Sequence, residues 1–355
     1  MPDLGTRVDL ALQGLRAGPP VQRRGGAGPT DDGHVLIGGP DGMRSAALPI
    51  SPTSRYRLDG NRLLHDGTDT GLDVEPVRRP RFYDLRTADG VPYDQIARLH
   101  GSDVLATTVV QTCMRYEESQ RCRFCAIEES LRAGNTVAVK SASDLAEVAE
   151  AAVRLDGVRQ MVMTTGTTKG RDRGAMHLAR CVRAVTAAVP ALPVQVQCEP
   201  PGDLDAIGLL HRAGATAIGI HVESLDDEVR RRWMPGKATV PLQQYWAAWD
   251  EAVRVFGRNR VSTYLLVGLG EDPDELVEGA GRLIEHGVYP FVVPFRPAAG
   301  TLAAADGATA PPSDLLTDIT GRVAALLAAA GMRGADQQAG CAACGACSAL
   351  SVAGG

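Results

Sequence analysis

The sequence predicts an α/β chain built on a partial (β/α)6 barrel, and three observations lead there. From residue 104 onward, short apolar runs alternate with amphipathic helical stretches, the pattern of repeated βαβ units. Hydrophobic residues make up 44 % of the chain but aromatics only 4 %, so the interior must be assembled from Ala, Val and Leu, as in α/β cores. Chemically distinctive residues fall just after the predicted strands, where the carboxyl ends of parallel strands line a site. With 355 residues, the chain accommodates one barrel of roughly 200 residues plus a segment at each end.

Taken in order, residues 1–103 read as an accessory region. A short helix is expected over 8–17, followed by a Gly-, Pro- and charge-rich segment, 18–34, that reads as a mobile loop. Short alternating runs then continue to 103, and the DG and NR steps within RYRLDGNRLLHDG suggest small hairpins. No catalytic motif is visible in this stretch. The barrel is expected over 104–300, with strands at 104–112, 160–165, 193–199, 217–224, 260–268 and 289–295. Helices at 143–155, capped by Ser143 or Asp144, and at 174–189 fill two of the connections. Residues 301–355 form one helix and a Cys-rich tail with a Gly-rich tip.

A formal charge of −5 offers no basic footprint for a phosphate backbone, so nucleic acid is not an expected partner. No run of 18 apolar residues occurs, and the amino terminus lacks the charge and apolar pattern of a signal peptide; a soluble, cytoplasmic protein without a membrane partner is expected. Six of the eight cysteines lie in two tight groups, which in a reducing compartment argues for metal. Cys181 and Cys198 stand apart and read as small buried apolar residues.

The first group, Cys113, Cys122 and Cys125, directly follows the first barrel strand. Three thiolates there can hold three irons of a cubane and leave the fourth iron open to a small molecule. The alternative is a structural zinc knuckle, which would need a fourth ligand that the local sequence lacks.

Cys122-Arg123-Phe124-Cys125 resembles the CxφC end of the motif that defines the radical S-adenosylmethionine (SAM) superfamily, while the first spacer has eight residues in place of the usual three. The resemblance implies a TIM-type partial barrel, a [4Fe-4S] cluster on Cys113, Cys122 and Cys125, and Phe124 packed near the adenine of SAM. It also implies reductive cleavage of SAM to a 5′-deoxyadenosyl radical that abstracts hydrogen from a small-molecule substrate, with a flavodoxin or ferredoxin as reductant. Over about 105–300 the chain looks like the lipoyl synthase and biotin synthase branch. Thr165 and Gly166 stand where that branch binds the SAM amino group through backbone atoms. His221 and Glu223, in HVES, resemble its H-N-x-E-T. One of Arg230, Arg231 and Arg232, with Arg231 taken as the candidate, stands where a guanidinium clamps the SAM carboxylate. Val267, Gly268 and Glu271 resemble the adenine-side G-x-I-x-G-x-x-E, in which Tyr264 replaces the first Gly. Arg296, in PFRP, is expected to face SAM or substrate, and Glu199 the ribose or substrate.

The second group, Cys341, Cys344 and Cys347, is a CxxCxxC in a Gly/Ala setting that allows backbone to wrap a second, auxiliary [4Fe-4S] cluster. Its fourth ligand could be Ser348, a distant residue or the substrate. Such a cluster could relay an electron, anchor substrate, or donate sulfur as in lipoyl synthases. Those enzymes carry their extra cysteines at the amino terminus, so a plain lipoyl synthase assignment fails. The complete layout resembles the radical SAM family encoded beside nitrilases in bacterial gene clusters, implying a substrate from nitrile or amino-acid-derived metabolism. Two readings from other classes remain: an Fe–S electron carrier or redox sensor, and a zinc-stabilised binding module.

Overall fold

The computed structural model describes residues 1–16, 33–40 and 42–353, so most of the expected loop 18–34 lies outside the described residues. His34 is described, and it is buried at the start of a strand. The first helix, α1 (Leu4–Gln13), begins earlier than expected. Asp3 Oδ1 accepts from Thr6 N at 2.8 Å to cap it, and Gly14, at φ +71°, ends it. Five antiparallel strands follow: β1 (His34–Gly39), β2 (Gly42–Ala47), β3 (Tyr56–Asp59), β4 (Arg62–His65) and β5 (Thr68–Pro76), in the order β2-β1-β5-β4-β3. The expected hairpin is β3–β4, which pairs Tyr56 with His65 and turns at Gly60. Leu10, Leu15, Ile37, Leu63 and Val74 give this region a core of its own.

After α2 (Tyr93–Ile96), the main sheet opens with β6 (Arg98–His100), antiparallel to β7 (Val104–Thr108). It continues through β8 (Gln160–Thr164), β9 (Val194–Gln197), β10 (Ala217–Gly219), β11 (Val261–Val267) and β12 (Val288–Pro294), all parallel to β7 and adjacent in sequence order. Parallel neighbours require crossovers, and helices supply them. Between β7 and β8 lie α3 (Glu129–Arg132) and α4 (Ala142–Asp156), followed by α5 (Ala175–Ala188) and α6 (Asp205–Arg212). Between β10 and β11 come α7 (Asp227–Trp233), α8 (Pro235–Ala238) and α9 (Leu242–Phe256), and α10 (Pro273–Glu285) leads to β12. The tail forms α11 (Leu302–Ala305), α12 (Ser313–Ala329), α13 (Cys341–Cys344) and α14 (Leu350–Ala353). No helix among the described residues is long and apolar enough to cross a membrane.

All six predicted parallel strands are present, with three local corrections. The sheet begins at β6, before the expected boundary at 104. The cap of α4 is Ser141, whose Oγ accepts from Asp144 N at 3.0 Å, rather than Ser143 or Asp144. β10 ends at Gly219 and does not reach Ser224, because Glu223 sits at φ +64°, outside extended space. Contact with β11 continues through Ile220 N to Ser262 O and Val222 N to Thr263 Oγ1, and regular backbone pairing returns as Glu223 N donates to Tyr264 O and Leu266 N to Glu223 O.

The sheet curls but does not close: β6 and β12 are its two unjoined edges. Met161, Met163, Val194, Val196 and Val261 pack outward against the helices and are wholly buried, as is Cys181, and Cys198 is buried in the same core. Alternate residues, including Ala106, Thr108, Val162, Thr164 and Tyr264, line a lumen instead.

Candidate functional site

Beyond β7 the chain runs to Cys113 and then forms the loop that carries Cys122 and Cys125. Gly166 makes its base possible: the Gly166 amide donates to Val110 O at 2.8 Å, and a Cβ there would lie 2.1 Å from Thr112 O. The long spacer is pinned rather than free. Arg115 donates to both carboxylate oxygens of Glu199, at 3.0 and 3.1 Å, and also to Gly236 O. Gly236 N in turn donates to Gln120 O at 2.9 Å, and Arg123 N to Trp233 O at 2.7 Å. Met-Pro-Gly is thus the dock for the cysteine loop, and a side chain at Gly236 would strike Gln120 O.

Cys113, Cys122 and Cys125 are partly buried thiols that form no disulfide. Burial pushes the Cys122 thiol up, and the nearby Lys237 ammonium opposes that shift. Among the described residues no three metal-ligating side chains are drawn together into a ready-made ligand set, but the chemistry of three soft donors on one loop at a strand's carboxyl end suits three corners of a cubane with one iron left for an outside ligand.

The residues around this loop occupy three kinds of place. Phe124 packs with Cys122 beside the small cluster of Met234, Leu269 and Phe295. Glu223 forms a buried ion pair with Lys237. Burial alone would pull Lys237 down, but the carboxylate of its partner Glu223 carries it above lysine's ordinary value. The His221 ring stacks on Tyr264 at 4.0 Å and accepts from Tyr264 N through Nδ1, which leaves its proton on Nε2. Burial lowers its pKa to about 3, so the ring is neutral, and the buried Nε2 has no partner. Val267 is wholly buried at the end of β11; beyond it, Glu271 accepts from the amides of Gly268 and Leu269 at 2.7 and 2.8 Å, and Gly268 takes φ +105°.

Several candidates are employed differently from expectation. Glu199 is held by Arg115, with Arg173 at 3.8 Å, so it anchors the loop. The amides of Thr165 and Gly166 are taken by Gln197 O and Val110 O. Arg231 is exposed on α7, and the contact with the Leu269 carbonyl falls to Arg232, while Arg230 is wholly buried and donates to Val240 O. Arg296 is turned to the opposite end: it donates to Ala11 O and faces Cys347.

That opposite end is where Cys341, Cys344 and Cys347 lie. The tail enters between the two free edges of the sheet: Ser348 Oγ donates to Val292 O of β12, and His100 of β6 stands 3.7 Å from Cys347 Sγ. Gly340, at φ +109°, packs against Gln195 so closely that no side chain would fit, and its amide donates to Gln160 Oε1 at the start of β8. Cys341 Sγ points up the lumen, 2.7 Å from Tyr264 Oη and 3.4 Å from Gln197 Nε2. Ser348, spent on Val292 O and the Leu350 amide, is not turned to the thiols. The accessory region, which shows no motif, forms the outer wall: Ala47 N and Arg7 both donate to Ala346 O. Arg7, Arg115, Lys237 and His100 were not legible as site residues, since a lone charged residue in a helix or spacer carries no spacing signal.

The chain can now be set beside known proteins. The signature of the Radical SAM superfamily matches residues 119–283. Lipoyl synthase of Halorhodospira halophila is 26 % identical over 67 % of this chain and 75 % of its own length. The bacteriochlorophyllide c C-7(1)-hydroxylase of Chlorobaculum limnaeum is 25 % identical over 78 % and 73 %. Methylornithine synthase, a solved structure, aligns over 69 % of this chain and 71 % of that one with a TM-score of 0.49 and 15 % identity. Neither curated relative shares a majority of its residues with this chain, yet the signature takes in Cys122, Cys125 and strands β8 to β11. Residues 119–283 thus carry the signature of the radical SAM superfamily, whose members are enzymes that use a [4Fe-4S] cluster and SAM.

Proposed function

We propose that the protein abstracts hydrogen from a small molecule held in the barrel lumen, between a SAM-binding cluster on Cys113, Cys122 and Cys125 and an auxiliary cluster on Cys341, Cys344 and Cys347. The observation that supports this reading is Cys341 reaching Tyr264 and Gln197 in the lumen, while Cys113, Cys122 and Cys125 follow the carboxyl end of β7. When bound, the reduced cluster and SAM supply a carbon-centred radical. The chain's own residues do the rest. Arg115 and Glu199 fix the cysteine loop, and Phe124, Val267 and Gly268 border the adenine. Neutral His221 offers an unpaired Nε2–H to a ligand, and the Glu223–Lys237 pair keeps two charged groups at the strand ends with their geometry set. Thr165 and Gly166 hold the backbone close to the loop. The substrate is read as a small molecule of nitrile or amino-acid-derived metabolism, on the resemblance of the whole layout to the nitrilase-linked family, and a flavodoxin or ferredoxin as the electron donor.

Anaerobic reconstitution followed by EPR spectroscopy and a dithionite assay for 5′-deoxyadenosine tests the reading. Two cubane signals, one altered by SAM, together with 5′-deoxyadenosine formation are expected. Zinc without cleavage product would overturn it, and electron transfer without SAM binding would mark a carrier instead. The contact of Cys341 with lumen-lining side chains also favours a second reading, sulfur insertion from the auxiliary cluster, which 34S-labelled sulfide incorporated before turnover would reveal in the product.

A further inference from the structure

α1 places Arg7 inside the protein, 2 % exposed. A buried guanidinium is costly unless opposite charge and hydrogen bonds surround it. Arg7 has only part of that. Its Nη2 donates to Ala346 O, its Nη1 is buried without a partner, and no carboxylate pairs with it among the described residues. What it faces are the thiols of Cys347 and Cys344 and a second guanidinium, Arg296. Arg296 arrives from the end of β12, is bonded to Ala11 O, faces Cys347 and likewise has no carboxylate partner among the described residues. Two like charges converge on one set of thiols from two different elements, with no carboxylate among the described residues to balance them. A neutral trio of thiols would leave that arrangement uncompensated, whereas a cubane held by thiolates carries negative charge.

We propose that Arg7 and Arg296 form a cationic wall of the auxiliary site whose counter-ion is the thiolate-bound cluster, so that the amino-terminal helix belongs to that redox centre. The inference rests on the reading that Cys341, Cys344 and Cys347 hold a cluster. Both arginines act through the cluster as positioning residues. Each added electron makes the cluster more negative, so adjacent positive charge favours the reduced form and raises its potential.

The test is an EPR-monitored redox titration of the anaerobically reconstituted full chain, comparing wild type with Arg7→Met, Arg7→Lys, Arg296→Met and the Arg7→Met/Arg296→Met double variant. The auxiliary signal should move to lower potential in each Met variant and furthest in the double variant, and Arg7→Lys should restore it toward wild type. The signal that responds to SAM should stay in place in all of them. Iron and sulfide analysis covers poor loading: loss of the auxiliary cluster in Arg7→Met but not in Arg7→Lys supports the same wall. Unmoved auxiliary potentials in fully loaded Met variants would overturn the proposal. If wild type itself binds a single cluster, the two-cluster reading fails first, and that outcome is distinct from unmoved potentials in a two-cluster protein.

Discussion

The two cysteine groups supply the same number of thiols but are built from different materials. Cys113, Cys122 and Cys125 ride on a long loop at the carboxyl ends of the strands. Buried polar pairs hold that loop, Arg115 with Glu199 and, beneath it, Lys237 with Glu223, while glycine backbones at 166 and 236 dock it. Cys341, Cys344 and Cys347 come on a short Gly/Ala segment that fills the opening between β6 and β12, walled by two arginines with no carboxylate partner among the described residues. The first site balances its own charges within the protein; the second leaves positive charge in excess. On the function proposed above, a site that accepts and releases SAM is served by a self-neutralised frame, and a site that holds an anionic cluster by fixed cations.

The sharpest way to break the comparison is to delete thiols. Cys122→Ser should abolish 5′-deoxyadenosine formation, by a factor of about 1,000 or more, and lower iron from about eight to about four per chain, the content of two cubanes against one. Triple replacement of Cys341, Cys344 and Cys347 by Ser should also halve the iron yet retain SAM cleavage in the dithionite assay. Equal loss of cleavage in both variants would erase the division of labour. Next in size, Lys237→Met strands the buried Glu223 carboxylate. Urea unfolding of the apo-protein should show a loss of about 3–5 kcal/mol, partly recovered when Glu223→Gln is added.

A backbone test follows. Gly166→Ala forces a methyl against Thr112 O and should cost about 1–3 kcal/mol in the same unfolding assay, with weaker cluster retention at the upper site only. The neutral His221 makes a pH prediction. Its folded pKa, about 3, lies below the unfolded value of about 6.5, so the unfolded chain binds the extra proton first. Its stability contribution is therefore complete above about pH 6.5 and is lost as pH falls toward 3. At pH 5.5 the loss should be about 1 kcal/mol relative to His221→Asn. The smallest effect belongs to Arg231→Ala, expected to change stability by less than about 0.5 kcal/mol and to leave SAM binding by calorimetry unaltered, whereas Arg232→Ala weakens it.

Much of the barrel was legible in the chain because a parallel strand buried on both faces is a short continuous apolar run, and each such run here is followed by a helical period. The errors came where local and tertiary preferences part. HVES looks like the end of a strand, but Glu223 leaves extended space so that its carboxylate can meet Lys237. Ser143 and Asp144 are acceptable caps, yet Ser141 caps α4 because Lys140 and the residues before it are already fixed by the contact of Lys140 N with Val109 O.

The sequence by itself determined the chemistry available: two groups of three thiols, a parallel α/β frame to carry them, and the strand-end motifs of a SAM enzyme. Spacing and periodicity are local properties and survive in one dimension. Only the tertiary structure decided which end of the barrel each group occupies, that Arg296 belongs with the lower cysteines, and that Arg7 joins it from 289 positions earlier in the chain. Those are contacts between residues far apart in sequence, chosen by how helices and strand edges pack, and a buried charge shows its purpose only when the group that balances it is seen beside it.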